Sequence, residues 1–278
     1  MRVILPTNIR QRQKKRHSSM LRIVFSLFIL CLVLTGAYFY QTESNYYFDG
    51  PRQEKKTSLE PIQKEFRVFN GEEIKVLYNS FHYANTYKII SLPPITGNTE
   101  ADKKIRTLAE ARGYVMRRIA RDNLGDADGH PIQLLAEKPW QDLKAAAAND
   151  GIILTATWAF RSLEDQQMIF LEGLRSFGIS TQDIADGKAD SLVDKVLQTF
   201  APPGYSRHHT GYTIDLTCGT NGLTNFATTT CHDWLSRDNF INAKKFGWAP
   251  SYPDGASLQG PEPEPWEYVW VTSDSLLK

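Results

Sequence analysis

The chain has 278 residues, 41% hydrophobic and 23% charged, the make-up of an ordinary globular protein able to bury a sizeable core. Its formal net charge of +1 hides an asymmetry: the first 22 residues carry seven basic side chains and no acid, leaving 25 basic against 31 acidic residues in the rest. A mildly acidic body excludes nucleic acid as an expected partner.

After the basic head (1–22) comes an uncharged apolar run from Ile23 to Tyr40. A helix needs roughly 17–25 such residues to span a bilayer. Basic residues on one side only predict a cytoplasmic N-terminus and a transmembrane anchor over 23–41, with the remainder outside the cytoplasm. The rival is a cleaved signal peptide. The run lacks a clear small-x-small cleavage site and is long for such a segment, which favours the anchor. Residues 42–60 read as a polar linker, and 61–278 as one folded domain.

Runs such as Phe66-Arg67-Val68-Phe69 and Tyr87-Lys88-Ile89-Ile90 predict short strands or irregular packing against the domain before Pro93-Pro94. Leu108, Ala111, Val115 and Ile119 recur at helical spacing and predict a helix over 101–123, with Thr99 and Asp102 as a capping pair. A second helix is expected from Trp140 to Asn149, then a strand from Gly151 to Trp158. Ser162 or Asp165 is expected to cap the next helix. Leu192, Val193, Val196, Leu197 and Phe200 mark another, which Pro202-Pro203-Gly204 ends.

Chemistry concentrates in Ser206-Arg207-His208-His209-Thr210-Gly211-Tyr212-Thr213-Ile214-Asp215. His208 and Asp215 offer an imidazole and an anionic oxygen, a donor pair suited to a small divalent metal, zinc above all. Such a pair is commonplace by itself, and a catalytic zinc needs a third protein ligand. His209 reads as a surface or packing residue. Cys218 and Cys231 are the two cysteines beyond the apolar run, and an extracytoplasmic location permits them to form a disulfide. Two buried free thiols are the alternative.

Phe160-Arg161-Ser162 with Gln166 resembles the Tyr-Arg-Ser-x-x-x-Gln segment of the VanY-type D-alanyl-D-alanine carboxypeptidases. Ser206 through Asp215 is similar to that family's Ser-x-His-x-x-Gly-x-x-x-Asp metal motif. Trp234-Leu235, Asn242-Ala243, Phe246-Gly247-Trp248, Ser251-Tyr252-Pro253 and Glu264-Pro265-Trp266 follow its later segments in order. The resemblance covers roughly 132–271. It implies an α+β fold in which a small antiparallel sheet with packed helices forms a zinc cleft. It also implies His208 and Asp215 as ligands, Glu264 as general base, Arg161 as the cation facing the substrate carboxylate or the oxyanion, and Ser206 and Gln166 as polar substrate contacts. Arg161 has a plainer reading as a structural ion-pair partner.

One departure stands out. The family has its third ligand, a histidine, where this chain has Glu267. Either Glu267 is the third ligand to Zn²⁺, or the site has lost its metal. His82, His130 and His232 do not restore the pattern, and Glu262 is set aside as base because Glu264 carries the Glu-Pro-Trp string. The expected protein is a membrane-anchored zinc carboxypeptidase trimming terminal D-alanine from peptidoglycan stem peptides. The alternatives are a metal-free wall-binding or regulatory protein, and an endopeptidase of the same fold.

Overall fold

The computed structural model describes residues 65–278. The expected head, anchor and linker lie outside the described residues. Among the described residues, no helix is long and apolar enough to cross a membrane.

Residues 66–69 take the irregular alternative, and the first element is a helix that the sequence reading did not anticipate. Asn70 accepts from the Glu73 amide while the Glu73 carboxylate accepts from the Asn70 amide, a capping box that opens helix α1 (Gly71–Ser80). Ile74 and Tyr78, four apart, lie on its buried side. Among the described residues of this region, Thr86–Tyr87 (β1) forms a strand and Phe66 makes an isolated antiparallel bridge to Leu277.

Helix α2 (Thr99–Ala111) is capped by Asn98, whose side chain accepts from the Ala101 amide. It ends far short of the expected residue 123. Gly113 sits at φ +91, and a Cβ there would come 1.9 Å from the Leu258 carbonyl oxygen. Backbone approach thus overrides the helical spacing of Val115 and Ile119. Ile119–Ala120 (β2) instead pairs with β1. A hairpin follows that the sequence reading missed: β3 (Leu124–Ala127) and β4 (His130–Gln133). Its turn is Asp128-Gly129, both at positive φ, the dipeptide such two-residue turns favour.

Helix α3 (Leu134–Asn149) starts a turn and a half before the expected Trp140 and carries Pro139 inside it. Ala136, Trp140, Leu143 and Ala147 form its buried stripe, so packing outweighs the proline. Strand β5 (Leu154–Trp158) follows, shorter at its start than expected. Ser162 caps α4 (Leu163–Ser176) by accepting from the Asp165 amide. Short α5 (Thr181–Ala185) and α6 (Asp190–Leu197) lead to the Pro-Pro-Gly segment. Phe200 falls beyond α6 and packs against the helical core. The chain closes with β6 (Thr213–Cys218), α7 (Thr230–Lys244), β7 (Trp248–Pro250) and β8 (Glu267–Trp270).

The architecture is α+β with small antiparallel sheets. The principal sheet runs β5-β6-β8-β7, every neighbouring pair antiparallel. Ile214, Leu216 and Cys218 alternate along β6 into a core that includes Trp140, Trp248 and Tyr268. Thr213, Asp215 and Thr217 therefore point to the opposite face. A second core, centred on Ile105, Phe170, Val193 and Leu197, holds α2, α4, α5 and α6 together.

Cys218 and Cys231 form a disulfide, joining the end of β6 to the start of α7. Replacing both by serine should lower unfolding stability by about 2–4 kcal/mol, through loss of a cross-link that restrains the unfolded chain. Urea titrations of wild type and double variant would measure this; equal midpoints would remove the disulfide from any supporting role.

Candidate metal centre and its cleft

Three side chains converge because of one register. Antiparallel pairing of β6 with β8 sets Asp215 directly opposite Glu267. Both are nearly inaccessible, at 5% and 3% exposure. Like charges facing each other across a sheet repel, so this pair requires a cation between or beside it.

His208 reaches the same point from the 3₁₀ turn Arg207–Thr210 that precedes β6. The turn ends on Gly211 at φ +72, in the left-handed region that glycine tolerates, and a Cβ there would stand 3.1 Å from Gln133 Cγ. The Gly211 amide donates back to the His208 carbonyl. His208 Nδ1 lies 2.6 Å from the Ala159 carbonyl oxygen. That contact fixes the proton on Nδ1 in neutral imidazole and leaves Nε2 free as a lone-pair donor.

Nε2 lies 3.4 Å from Asp215 Oδ2 and 3.3 Å from Glu267 Oε2. Donors bound tetrahedrally at ~2.0–2.1 Å stand roughly 3.3 Å apart, so these separations fit one small divalent ion. The ligand atoms all lie within 4.8 Å of one another. Asp215 Oδ1 and Glu267 Oε1 are buried without hydrogen-bond partners, which further marks the cluster as needing positive charge. One imidazole and two carboxylates form a harder, more anionic donor set than two imidazoles and one carboxylate.

The protonation pattern reflects the same electrostatics. Burial disfavours the His208 cation, yet the Asp215 and Glu267 carboxylates outweigh it and raise its pKa to about 10. Burial would raise Glu267, but the His208 and Arg207 charges hold it below the ordinary carboxylate range. Burial, reinforced by Glu267 and Asp215, pushes half-buried Glu264 up to about 8. One cleft thus contains a carboxyl group poised to hold a proton, Glu264, beside a carboxylate held ionised, Glu267.

Every residue the sequence singled out for chemistry lines one cleft of about 230 Å³: Arg161, Gln166, Ser206, His208, Asp215, Glu264 and Glu267. Arg161 Nη1 donates to Gln166 Oε1 at 3.0 Å, and Gln166 Nε2 donates to the Ala201 carbonyl at 2.7 Å. The guanidinium lies 5.5 Å from the Trp158 ring centroid, and its Nε is buried without a partner. Arg161 is therefore oriented by a neutral amide, among the described residues, and keeps unused donors. Gln166 acts on Arg161 as well as lining the cleft.

His209 is a packing residue. It is fully buried, its Nδ1 donates to the Arg161 carbonyl at 2.8 Å, and its Nε2 accepts from the Gly204 amide at 3.0 Å. Burial depresses its pKa to about 4, so it is neutral at pH 7. Glu262 lies outside the cleft and faces Arg112 at 3.6 Å. Among the described residues, His232 joins no group of metal ligands; it packs edge-on against Phe226. Trp158 and Trp266 line the cleft, whereas Trp234, Trp248 and Trp270 are core residues.

The sequence reading missed Arg207, Tyr114 and Tyr252, all at the cleft. Arg207 had no signal of its own, since a basic residue between a serine and a histidine is usually solvated. Tyr252 lay in a recognised Ser-Tyr-Pro string with no role attached.

The family model described as VanY, D-alanyl-D-alanine carboxypeptidase, matches residues 130–273. A curated D-alanyl-D-alanine carboxypeptidase of Enterococcus faecalis (strain ATCC 700802 / V583) is 27% identical over 155 residues, 55% of this chain and 53% of the relative. The match thus spans about half the length of that relative. Solved structures of similar chains include the LdcB LD-carboxypeptidase, with TM-score 0.42 and 22% identity over 58% of this chain and 69% of that one. A vancomycin-resistance D,D-pentapeptidase in complex with Zn(II) gives TM-score 0.42 and 22% identity, covering 59% of this chain and 90% of that one.

Proposed function

Because the chain belongs to the VanY family of D-alanyl-D-alanine carboxypeptidases, we propose that it is a zinc-dependent peptidase that removes the terminal D-alanine from peptidoglycan stem peptides. The observation that carries this reading is the meeting of His208, Asp215 and Glu267 in the cleft that also holds Glu264 and Arg161.

His208 Nε2, Asp215 and Glu267 would hold the ion. A zinc ion bound there would supply Lewis acidity, lowering the pKa of a water toward about 7. Glu264 accepts the proton of the attacking water and delivers it to the leaving amine. A C–O bond forms at the scissile carbonyl, the C–N bond breaks, and free D-alanine departs from the shortened peptide. Arg161 holds the terminal carboxylate through its forked donors, with Gln166 fixing its plane. Ser206 lines the same wall and offers a polar contact to the substrate backbone.

We further propose that the domain lies outside the cytoplasm, tethered to the cytoplasmic membrane by residues 23–41. The disulfide supports this, since such bonds persist in oxidising compartments. The uncharged run behind seven basic residues supports the tether.

The test is zinc analysis of the purified full-length chain together with mass spectrometry of muropeptides. Stoichiometric zinc and loss of one alanine from a pentapeptide stem support the reading. Loss only from tetrapeptide stems would shift the specificity to the L,D-bond, and cleavage between stems would make it an endopeptidase. Neither zinc nor cleavage, with muropeptides still bound, would support a metal-free wall-binding protein.

Arg161 gives a second check. Arg161→Met should raise KM and lower kcat/KM roughly 10- to 100-fold, the worth of hydrogen bonds to a charged group. Wild type should reject a peptide with a C-terminal amide, and the variant should lose that discrimination. Discrimination retained in Arg161→Met would return Arg161 to a structural role.

A further inference from the structure

We propose that Arg207 is the internal counter-charge and positioning residue of Glu267, dividing that carboxylate between a guanidinium and the ligand position. This rests on the metal-centre reading above.

The β6–β8 register buries two carboxylates opposite each other. Once its Nε2 serves as a metal ligand, His208 is a neutral imidazole and offsets neither. The Glu267 carboxylate is split in its contacts: Oε2 faces His208 Nε2 at 3.3 Å, and Oε1 faces Arg207 Nη1 at 3.8 Å. Arg207 is itself 6% exposed. Its Nη2 donates to the Tyr78 hydroxyl at 3.1 Å and to the Gln259 carbonyl at 3.0 Å. Its Cζ stands 3.9 Å from the Tyr252 ring centroid.

Those partners are neutral. Among the described residues, Glu267 is the carboxylate in ion-pair range of this guanidinium. A buried cation without an anion is strongly unfavourable, as is a second buried anion without a cation. Each therefore accounts for the other. The 3.8 Å separation exceeds hydrogen-bond length, so Arg207 offsets charge while Oε2 keeps its direction toward His208. The planar, stacked and forked attachments suit arginine and not a flexible ammonium. With Arg207 present, the cluster and its neighbour carry a net charge of about −1 rather than −2 when His208 is neutral.

The test is a double-substitution cycle in the full-length chain: wild type, Arg207→Met, Glu267→His and both together. Thermal midpoints are read in EDTA, and zinc affinity by competition with a chromogenic chelator. In EDTA, Arg207→Met should lower the midpoint of wild type and raise it in the Glu267→His background, where the guanidinium has lost its anion. Glu267→His alone should weaken zinc binding at least about tenfold, and adding Arg207→Met should recover that loss.

Equal destabilisation by Arg207→Met in both backgrounds would overturn the proposal, leaving Arg207 a tether for Gln259 and Tyr252. Undiminished zinc affinity in Glu267→His would overturn it as well. Should Arg207→Met not fold, Arg207→Lys and Arg207→Gln replace it. The lysine variant, which keeps the charge, should tolerate Glu267 better than the glutamine variant, and equal midpoints would refute the counter-charge. Absence of zinc binding by wild type would sink the metal-centre reading, while the cycle in EDTA still decides the role of Arg207.

Discussion

Glu264→Gln is expected to keep the fold and the zinc while lowering turnover by about 10²–10⁴-fold, the usual worth of a positioned general base. The exchange is nearly isosteric and leaves His208, Asp215 and Glu267 untouched. The amide cannot accept a proton from water at neutral pH. Glu264 suits the task because its half-buried carboxyl is pushed up to about 8 by burial and by the charges of Glu267 and Asp215.

The sign of the pH dependence follows from the base being the ionised form. Wild-type kcat/KM should fall as pH drops through the Glu264 pKa, because protonation removes the base. A zinc ion on the neighbouring ligands favours ionised Glu264, so this limb should lie below pH 8 in the loaded enzyme. The residual rate of Glu264→Gln should lack the limb. Zinc analysis, circular dichroism and a pH–rate profile on the two proteins make the comparison. Full activity in the variant would eliminate Glu264 as base.

Glu267→Ala is expected to lose zinc. Removing one of three protein ligands should weaken binding by more than about 100-fold, beyond the 10–100-fold typical of residues that only orient a ligand. At a zinc concentration 100 times the wild-type Kd, zinc stabilises the wild-type fold by about 2.7 kcal/mol. The variant should show almost none of that shift. His208→Ala should behave alike, and His232→Ala should match wild type because its ring lies against Phe226. Zinc-dependent stabilisation that survives Glu267→Ala would exclude Glu267 as a ligand.

Much of the cleft was legible because its residues sit in short strings whose spacing survives folding. Ser206 to Asp215 is local: a turn, a glycine and a strand, with His208 and Asp215 on one continuous segment. Ser162 was readable as a helix cap from its own neighbourhood. Other elements depended on contacts far away in the chain. The helix expected over 101–123 stops at Ala111 because Gly113 meets the backbone at Leu258. Helix α1 was overlooked among aromatic residues, although Asn70 and Glu73 spelled its capping box. The Asp128-Gly129 turn was likewise in plain view.

The sequence by itself determined the chemical inventory: two ligand candidates, a glutamate in a Glu-Pro-Trp string, an arginine, and a glutamate where the family has a histidine. Only the tertiary structure decided that Glu267 faces Asp215 across a strand pair and stands 3.3 Å from His208. It alone brought Arg207 to the other side of that carboxylate. The physical reason is that local spacing sets which side chains a strand or turn presents, while strand register and burial set which charges must share a low-dielectric space. Glu267 differs from a histidine by a full negative charge, and the consequence of that charge depends on neighbours that no short string contains.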